Sequence, residues 1–172
     1  MGTATNVKIG VCSVKLDGTD IGHTAGGVEV VYSPEYADIK VDQYGNTPVD
    51  KVLIGEKFLV KVPLAESILA NLKRAIPPGT ATPSDAAPTK ITVGRSAGLS
   101  ALTFAKRLVL HPIANAANNY ADDVIIHKGV ITNEISLGFK VDEQRVLNVE
   151  ILALVDESKS DGNYLGLLGD SA

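Results

Sequence analysis

The sequence contains a single cysteine and no tryptophan. Because one cysteine cannot form a disulfide within its own chain, the small disulfide-stapled domains of secreted proteins are excluded, and synthesis in a reducing compartment is expected. Aromatic residues make up only 5% of the chain, which leaves few surfaces on which single-stranded bases stack. A module that binds carbohydrate by stacking on sugars is disfavoured for the same reason.

An excess of positive charge is also lacking. The formal net charge is −4 and the sequence pI is about 5.3. The chain therefore has no overall basic field with which to hold phosphates. A general nucleic-acid binder is disfavoured.

Long apolar runs are missing as well. No stretch of about 18 apolar residues occurs, which is the length that a membrane-spanning helix needs. The first residues, MGTATNVK, have no apolar segment of the kind found in export signals, and Asn6 argues against N-myristoylation. We expect no membrane association.

What the chain does contain is enough apolar material for a core. Its 172 residues are 45% hydrophobic, and domains usually have roughly 100 to 200 residues. We predict a single domain over residues 1–172. Pro, Gly, Ser and Thr are frequent in residues 77–89, which predicts a flexible loop, and we expect residues 157–172 to be flexible too.

Two neighbouring segments alternate polar and apolar residues, the pattern of a strand with one solvated face. The first covers residues 38–42 and the second residues 51–62. Both strands can present their charged side chains on one common face, and an ordinary solvent-facing sheet explains such a face equally well. The residues predicted to share it are Asp38, Lys40, Asp42, Lys57 and Lys61.

The connection between these strands, VDQYGNTPVD, is rich in turn-forming residues. Gly45 and Asn46 tolerate positive φ, and Pro48 holds the preceding residue in an extended conformation. Ten residues exceed the roughly two to five of a usual hairpin loop, and long loops often carry contacts. The predicted contact residues are Asp42, Gln43, Tyr44, Gly45, Asn46, Thr47, Pro48, Val49 and Asp50.

An amphipathic helix is predicted directly after the second strand. Pro63 is typical of a helix start, and Pro77-Pro78-Gly79 ends the pattern. Its charged residues suit the helix dipole, with Glu66 near the start and Lys73 and Arg74 near the end. The apolar stripe comprises Leu64, Ile68, Leu69, Leu72, Ala75 and Ile76, and Glu66, Asn71, Lys73 and Arg74 lie off it.

The remaining periodic segments favour short strands. We predict strands over residues 7–16, 28–33 and 103–110, with a break at Tyr32-Ser33-Pro34. Residues 135–141 and 147–155 alternate most regularly and predict a hairpin that turns at residues 142–145. Many short strands and one helix indicate a mainly β fold, an antiparallel β-sandwich or barrel with one packed α-helix.

A literal G-x-S-x-G motif at residues 94–98 raises the possibility of a serine hydrolase. Ser96 would be the nucleophile, and Asp122 and His127 follow it in the order that α/β-hydrolases use. The chain lacks the alternation of strands and helices which that fold requires, and small residues of this kind commonly form a turn. The turn is the favoured interpretation.

No cofactor or metal site is predicted. His23, His111 and His127 have no zinc-binding spacing, and the acidic run at residues 156–162 places its glycine one position too late for a calcium loop. Cys12 lies on a predicted strand, where a small buried apolar residue is expected.

Two stretches resemble the major tail tube protein of long-tailed bacteriophages. The first runs from Ile21 to Leu72, where a Gly26-Gly27 pair opens a strand, VDQYGNTPVD follows it, and Val-Pro-Leu-Ala-Glu at residues 62–66 comes before the helix. The second, residues 137–158 (LGFKVDEQRVLNVEILALVDES), is similar to the closing hairpin of that family. Together they cover less than half of the chain.

This resemblance implies a tail-tube-like fold and a structural role. Identical subunits would form closed rings, most often hexameric, and the rings would stack into a hollow tube in the virion tail after synthesis in the cytoplasm of a host bacterium. The shared charged face would line the bore, through which DNA passes without specific binding, and residues 42–50 would reach the adjacent ring. Tape-measure, tail-terminator and baseplate or tail-tip proteins would be the partners.

A secretion-system tube protein of similar architecture is an alternative with the same assembly. The small serine hydrolase that uses Ser96 is the other, and it alone predicts ester cleavage that a Ser96→Ala variant abolishes. No catalytic residue is expected on the tube interpretation.

Overall fold

A computed structural model describes Lys8 and residues 10–169 of the chain. It is mainly β, with antiparallel strands and one α-helix in the described part, which confirms the predicted fold class. The strands are β1 (Cys12–Leu16), β2 (Thr19–Asp20), β3 (Glu29–Lys40), β4 (Pro48–Leu64), β5 (Thr80–Thr82), β6 (Lys90–Thr92), β7 (Lys106–Pro112), β8 (Val124–Ile131), β9 (Leu147–Leu154) and β10 (Gly166–Leu168), and the helix is α1 (Leu69–Ala75).

Eight of the strands form one antiparallel sheet in the order β2-β1-β7-β8-β9-β4-β3, with β10 paired to β8 beside β9. Strands β5 and β6 form a separate two-stranded sheet. Strands β1 and β4 are four places apart in this strand order, so in a flat sheet they would lie about 19 Å from each other. Yet Val14 of β1 and Val60 of β4, both fully buried, belong to the same apolar core. The sheet must therefore curl around that core.

The alternation in β4 explains which of its faces is buried. Phe58, Val60, Val62 and Leu64 are all buried, whereas Lys61 between them is only partly covered. Burying a large aliphatic side chain contributes about 1.5–3 kcal/mol. This end of β4 is thus the anchored part of a 17-residue strand.

The predicted break at Tyr32-Ser33-Pro34 is wrong. Strand β3 continues through these residues for 12 positions and pairs with β4, with Pro34 opposite Glu56. A proline is tolerated here because β3 is the last strand of the sheet, where a missing N–H leaves no neighbour unpaired. The predicted strands at 28–33 and 38–42 are therefore parts of one strand that ends at Lys40.

The helix is shorter than predicted, and its buried face is different. Pro63 and Leu64 remain in β4, where they pair with β9, and α1 begins at Leu69. Asn71 and Lys73, predicted off the apolar stripe, are buried, while Leu69 is exposed. Hydrogen bonds to neighbouring backbone oxygens, rather than apolar packing alone, decide which side of this short helix faces inward.

The predicted hairpin of residues 135–141 with 147–155 is also wrong. Its second half forms β9, but the partner strands of β9 are β4 and β8, and residues 132–146 contain no strand. Strand β8, which precedes the alternating segment, takes the pairing position that the prediction gave to residues 135–141. The side chain of Asn133 bonds to Asn148 O at 2.9 Å and accepts from Glu150 N at 2.8 Å, so it completes the edge of β9 beyond β8.

Other predicted segments are partly matched. Of the first predicted strand, residues 12–16 form β1, and Val7 and Ile9 lie outside the described residues. Residues 103–110 begin with a 3-10 turn and continue as β7. The predicted loop at 77–89 contains β5, and the predicted flexible C-terminal segment contains β10, which pairs with β8.

Candidate assembly interface

Strands β3 and β4 extend far beyond the body of the protein as a two-stranded arm, which we define as residues 32–57. Strand β4 pairs with β9 only from Leu59 to Leu64. The ten residues from Pro48 to Lys57 therefore project past the sheet, over about 33 Å at the usual rise per residue. Apart from Gly55, which is partly covered, every arm residue is exposed.

The arm carries apolar side chains on both of its faces. Tyr36 lies opposite Leu53, and these side chains are 51% and 47% exposed. On the other face Ile39 and Val52 are exposed as well. Cross-strand apolar pairs stabilise a hairpin, but in the described part of the chain no further element covers either face.

The arm has two irregularities of register. One lies between Glu35 and Tyr36 and the other between Ile39 and Lys40, so that β4 contributes an extra residue at each place. Such bulges bend the bulged strand and increase its local twist. They also alter which β4 residues share a face with β3 residues near the tip.

The structure brings the nine predicted contact residues together at the tip of the arm. A 3-10 turn spans Asp42–Tyr44, and Gly45 follows with a φ of 59°. Tyr44 N donates to Val41 O at 3.1 Å, and Thr47 N donates to Tyr44 O at 3.2 Å. All nine residues, 42–50, are exposed, with Tyr44 at 65%. The connection is shorter than predicted, because residues 48–50 belong to β4.

The five predicted lining residues do not share one face. Antiparallel partners project to the same side of a sheet, and Asp38 pairs with Lys51 whereas Lys57 pairs with Ser33. Counting along β3, Asp38 and Lys40 lie on one side and Ser33 on the other, and Lys61 pairs with Glu29 on the side of Ser33. The expectation of a single charged face for all five is wrong; Asp42 lies in the turn instead.

One ion pair lies on each face of the ribbon formed by β3 and β4. Lys51 Nζ lies 3.1 Å from Asp38 Oδ1, and Lys61 Nζ lies 2.9 Å from Glu29 Oε2. The hydrogen bond and the charge of Glu29 raise the pKa of Lys61. Exposed pairs of this kind contribute little to stability.

The hydrolase motif is not arranged for catalysis. Ser96 is exposed between the three-residue strand β6 and a 3-10 turn, without the strand-to-helix elbow that the mechanism uses. Asp122 bonds to Lys8 and Asn115, and His127 Nε2 lies 2.9 Å from Asn163 Oδ1. Asp122 and His127, which the motif would need beside Ser96, are therefore hydrogen-bonded to other residues.

A different histidine does pair with a carboxylate, and sequence reasoning missed it. His111 Nδ1 lies 2.6 Å from Oδ1 of the buried Asp123, and Tyr120 packs edge-on against the imidazole. His111 Nε2 is buried, with no hydrogen-bond partner among the described residues. Nε2 is therefore not exposed to a substrate in this structure. The pair joins β7 to the start of β8.

Metal and thiol chemistry receive no support from the described residues. No group of three or more His, Cys, Asp or Glu side chains there could hold a metal ion. Cys12 is half-buried on β1, and burial raises the pKa of its thiol. A raised pKa lowers the thiolate fraction at neutral pH, which is the reverse of an activated cysteine.

Within the described part of the chain, no α-helix has the length and apolar character needed to cross a bilayer. No protein-family model and no curated protein matches this sequence.

Proposed function

We propose that this chain is a structural protein that assembles with copies of itself into stacked rings, and that the rings form the hollow tail tube of a long-tailed bacteriophage. The exposed arm carries this proposal. It occupies the stretch of sequence, residues 21–72, in which the resemblance to major tail tube proteins is found. The role is mechanical, and no catalytic residue belongs to it.

An arm of this kind is poorly suited to remaining alone in water. Isolated two-stranded hairpins are marginally stable at best. The exposed side chains of Tyr36, Leu53 and Ile39 would gain from burial. A neighbouring subunit that covers these side chains would order the arm and remove apolar surface from water at the same time.

Unpaired strand edges support assembly in a closed ring. Strand β3 ends the sheet on one side, and its 12 residues leave one edge without a partner in the described chain. A long free edge pairs readily with another chain, and closing a ring of identical subunits removes such edges. We propose six subunits, the number that the resemblance implies.

The charge of the chain is compatible with a conduit for DNA. A bore that held phosphates tightly would slow ejection, and the net charge of −4 offers no general attraction. Ion pairs such as Lys51 with Asp38 further reduce the positive charge that the arm presents. Tape-measure, tail-terminator and baseplate or tail-tip proteins are the proposed partners in the virion.

Negative-stain electron microscopy of the purified protein, imaged dilute and after concentration, tests this function. Rings or hollow rods with a regular axial repeat are expected, and a sizing column should show the matching change in mass. A second sample should carry a deletion of residues 44–47. This variant should keep the circular dichroism and melting temperature of the body but lose stacking, because the tip lies far from the core. Particles that stay monomeric at every concentration would contradict the proposal.

A further inference from the structure

A cleft of about 540 Å³ lies between the main sheet and the segment that carries α1, β5 and β6. Leu16, Phe104 and Ile131 give it an apolar wall. The charged side chains that line it are four cations and two carboxylates, namely Lys73, Arg74, Arg95, Lys106, Asp17 and Asp85. In an acidic protein, this cleft is a local concentration of positive charge.

Two of the four cations already have carboxylate partners. Lys106 Nζ lies 2.7 Å from Asp17 Oδ2, and Lys73 Nζ lies 3.5 Å from Asp85 Oδ2. These pairs use both carboxylates of the lining. The excess positive charge of the cleft therefore resides on the two arginines.

Arg74 and Arg95 form no salt bridge with any described residue. Arg74 Nη1 donates to the amide oxygen of Asn71 at 3.0 Å. Arg95 donates from Nε to Pro78 O and from Nη2 to Thr80 Oγ1. Since a guanidinium has five N–H donors, each arginine retains donors suited to a carboxylate. The partners present are neutral, so both charges are uncompensated.

The cleft lies at the ends of β7 and β8 that point away from the arm. Strand β4 starts at the arm tip and ends at Leu64, which pairs with Leu147 at the start of β9. Strand β8 runs antiparallel to β9, so its last residue, Ile131, lies at the end away from the arm. Lys106 pairs with Gly129 at this same end. The arm therefore points away from the cleft of its own chain.

The arm tip complements the cleft in charge and in apolar character. Residues 42–50 contain Asp42 and Asp50 and no cation, and neither carboxylate forms a salt bridge with a described residue. Of the two lysines that flank the tip, Lys51 is paired with Asp38, and Lys40 lies on β3. Between them Tyr44 presents an aromatic ring that is 65% exposed. An acidic tip with a central aromatic residue matches a basic cleft with an apolar wall.

We infer that the arm tip of one copy docks in the basic cleft of a second copy, with Tyr44 against Phe104 and Ile131 and with Asp42 and Asp50 facing Arg74 and Arg95. The contact joins opposite ends of two molecules, so it is heterologous and propagates head to tail. This inference rests on the proposed function and specifies the surface that receives the arm.

Cysteine cross-linking between separately made proteins tests the contact. In a Cys12→Ala background, Asn46→Cys at the tip and Ala86→Cys at the cleft are mixed and oxidised with copper phenanthroline. A disulfide-linked heterodimer is expected from this mixture. The matched control replaces Ala86→Cys with Ala117→Cys, an exposed position between β7 and β8 at the arm end of the sheet, and should give little heterodimer.

The outcomes separate this inference from the proposed function. Rods that form without the cleft cross-link, or that cross-link equally well through position 117, overturn the docking site and leave the tube. A protein that forms neither rods nor cross-links overturns both.

Charge reversal gives a second, independent measurement. Arg74→Glu with Arg95→Glu should raise the protein concentration needed for rod formation by at least about tenfold, because like charges then oppose each other. Adding Asp42→Arg and Asp50→Arg to the same chain should lower that concentration again. Failure of this rescue in a protein whose melting temperature is unchanged would overturn the pairing.

Discussion

The amide of Asn71 donates from Nδ2 to the backbone oxygen of Ile21 at 2.9 Å. Asn71 is only 2% exposed, and the same nitrogen lies 3.0 Å from Glu66 O. A single side chain on α1 thereby holds the segment that follows β2 and the segment that follows β4. The helix is anchored by a buried polar bond rather than by a broad apolar stripe.

Replacing Asn71 with Ala should lower the free energy of unfolding by roughly 1–3 kcal/mol, because the buried Ile21 oxygen loses its donor. Denaturant unfolding followed by circular dichroism measures the change. Asn46→Ala, at the exposed arm tip, is the matched control and should leave stability within experimental error. Equal stability of the two variants would show that the buried bond contributes nothing.

Gly22 and Gly18 allow two backbone effects to be separated. Both have positive φ, at 86° and 76°, but a Cβ on Gly22 would lie 2.4 Å from the carboxyl carbon of Glu66, whereas Gly18 has open space. Gly18→Ala should therefore cost only the backbone strain energy of a Cβ at positive φ, roughly 1 kcal/mol. Gly22→Ala should lose more stability, because Glu66 must move and release the N–H of His23.

A Glu66→Ala background provides the check on that interpretation. With the carboxyl group gone, Gly22→Ala should cost about as much as Gly18→Ala, near 1 kcal/mol. Denaturant unfolding of the four variants gives the comparison. If Gly22→Ala is equally damaging with and without Glu66, the contact between these residues is not the cause.

The sequence predicted the class of the fold and the site of the arm because both follow from local alternation. Lys57, Phe58 and Val60 show the alternation of a strand, and residues 42–47 are rich in turn-forming residues. Strand β4 and the tip could therefore be predicted. The continuity of β3 could not be predicted, because a proline normally ends a strand. Pro34 is tolerated within β3 because this strand lies at the edge of the sheet. Edge position is a tertiary property.

The predictions for residues 135–141 and for α1 were wrong because both depend on contacts between segments that are distant in the sequence. The alternation of Leu137 and Phe139 is as regular as that of β9, but pairing is a competition, and β8 occupies the neighbouring edge. Phe139 is left 78% exposed, with Arg145 stacked on its ring at 4.1 Å. For α1, the burial of Asn71 depends on a carbonyl 50 residues away in the chain. The two arginines of the cleft also come from separate segments, since Arg74 lies on α1 and Arg95 follows β6.

Acid should destabilise the protein partly through Asp156. Hydrogen bonds from Lys128 and Ser158 lower the pKa of its carboxyl from 3.8 to about 2. A carboxyl whose pKa is lower in the folded state binds protons more tightly when unfolded. Its contribution to stability is therefore complete above the unfolded pKa and is lost as the pH falls through about 2.

Measuring unfolding free energy from pH 6 to pH 2 tests this linkage. Asp156→Asn should be less stable than the parent at pH 6, and the difference should shrink as the acid limit is approached. Asp161→Asn removes an exposed carboxylate with no ion pair in the described residues. Its unfolding free energy should show the same pH dependence as that of the parent. A constant gap between Asp156→Asn and the parent would contradict the lowered pKa.

A charge placed on an apolar face of the arm should weaken assembly and leave folding almost unchanged. Tyr36→Lys places a charge where an aromatic side chain now lies 51% exposed opposite Leu53, outside the core. The melting temperature of the monomer should change little, because surface substitutions away from buried features usually shift stability by less than about 0.5 kcal/mol. Rod formation should need at least about tenfold more protein, since buried aromatic residues dominate interface energies and each 1.4 kcal/mol is a factor of ten. Sedimentation velocity across a concentration series measures this, and Ile113→Lys, an exposed apolar residue beyond β7, is the matched control that should assemble normally. Unchanged assembly of Tyr36→Lys would remove this arm face from the interface.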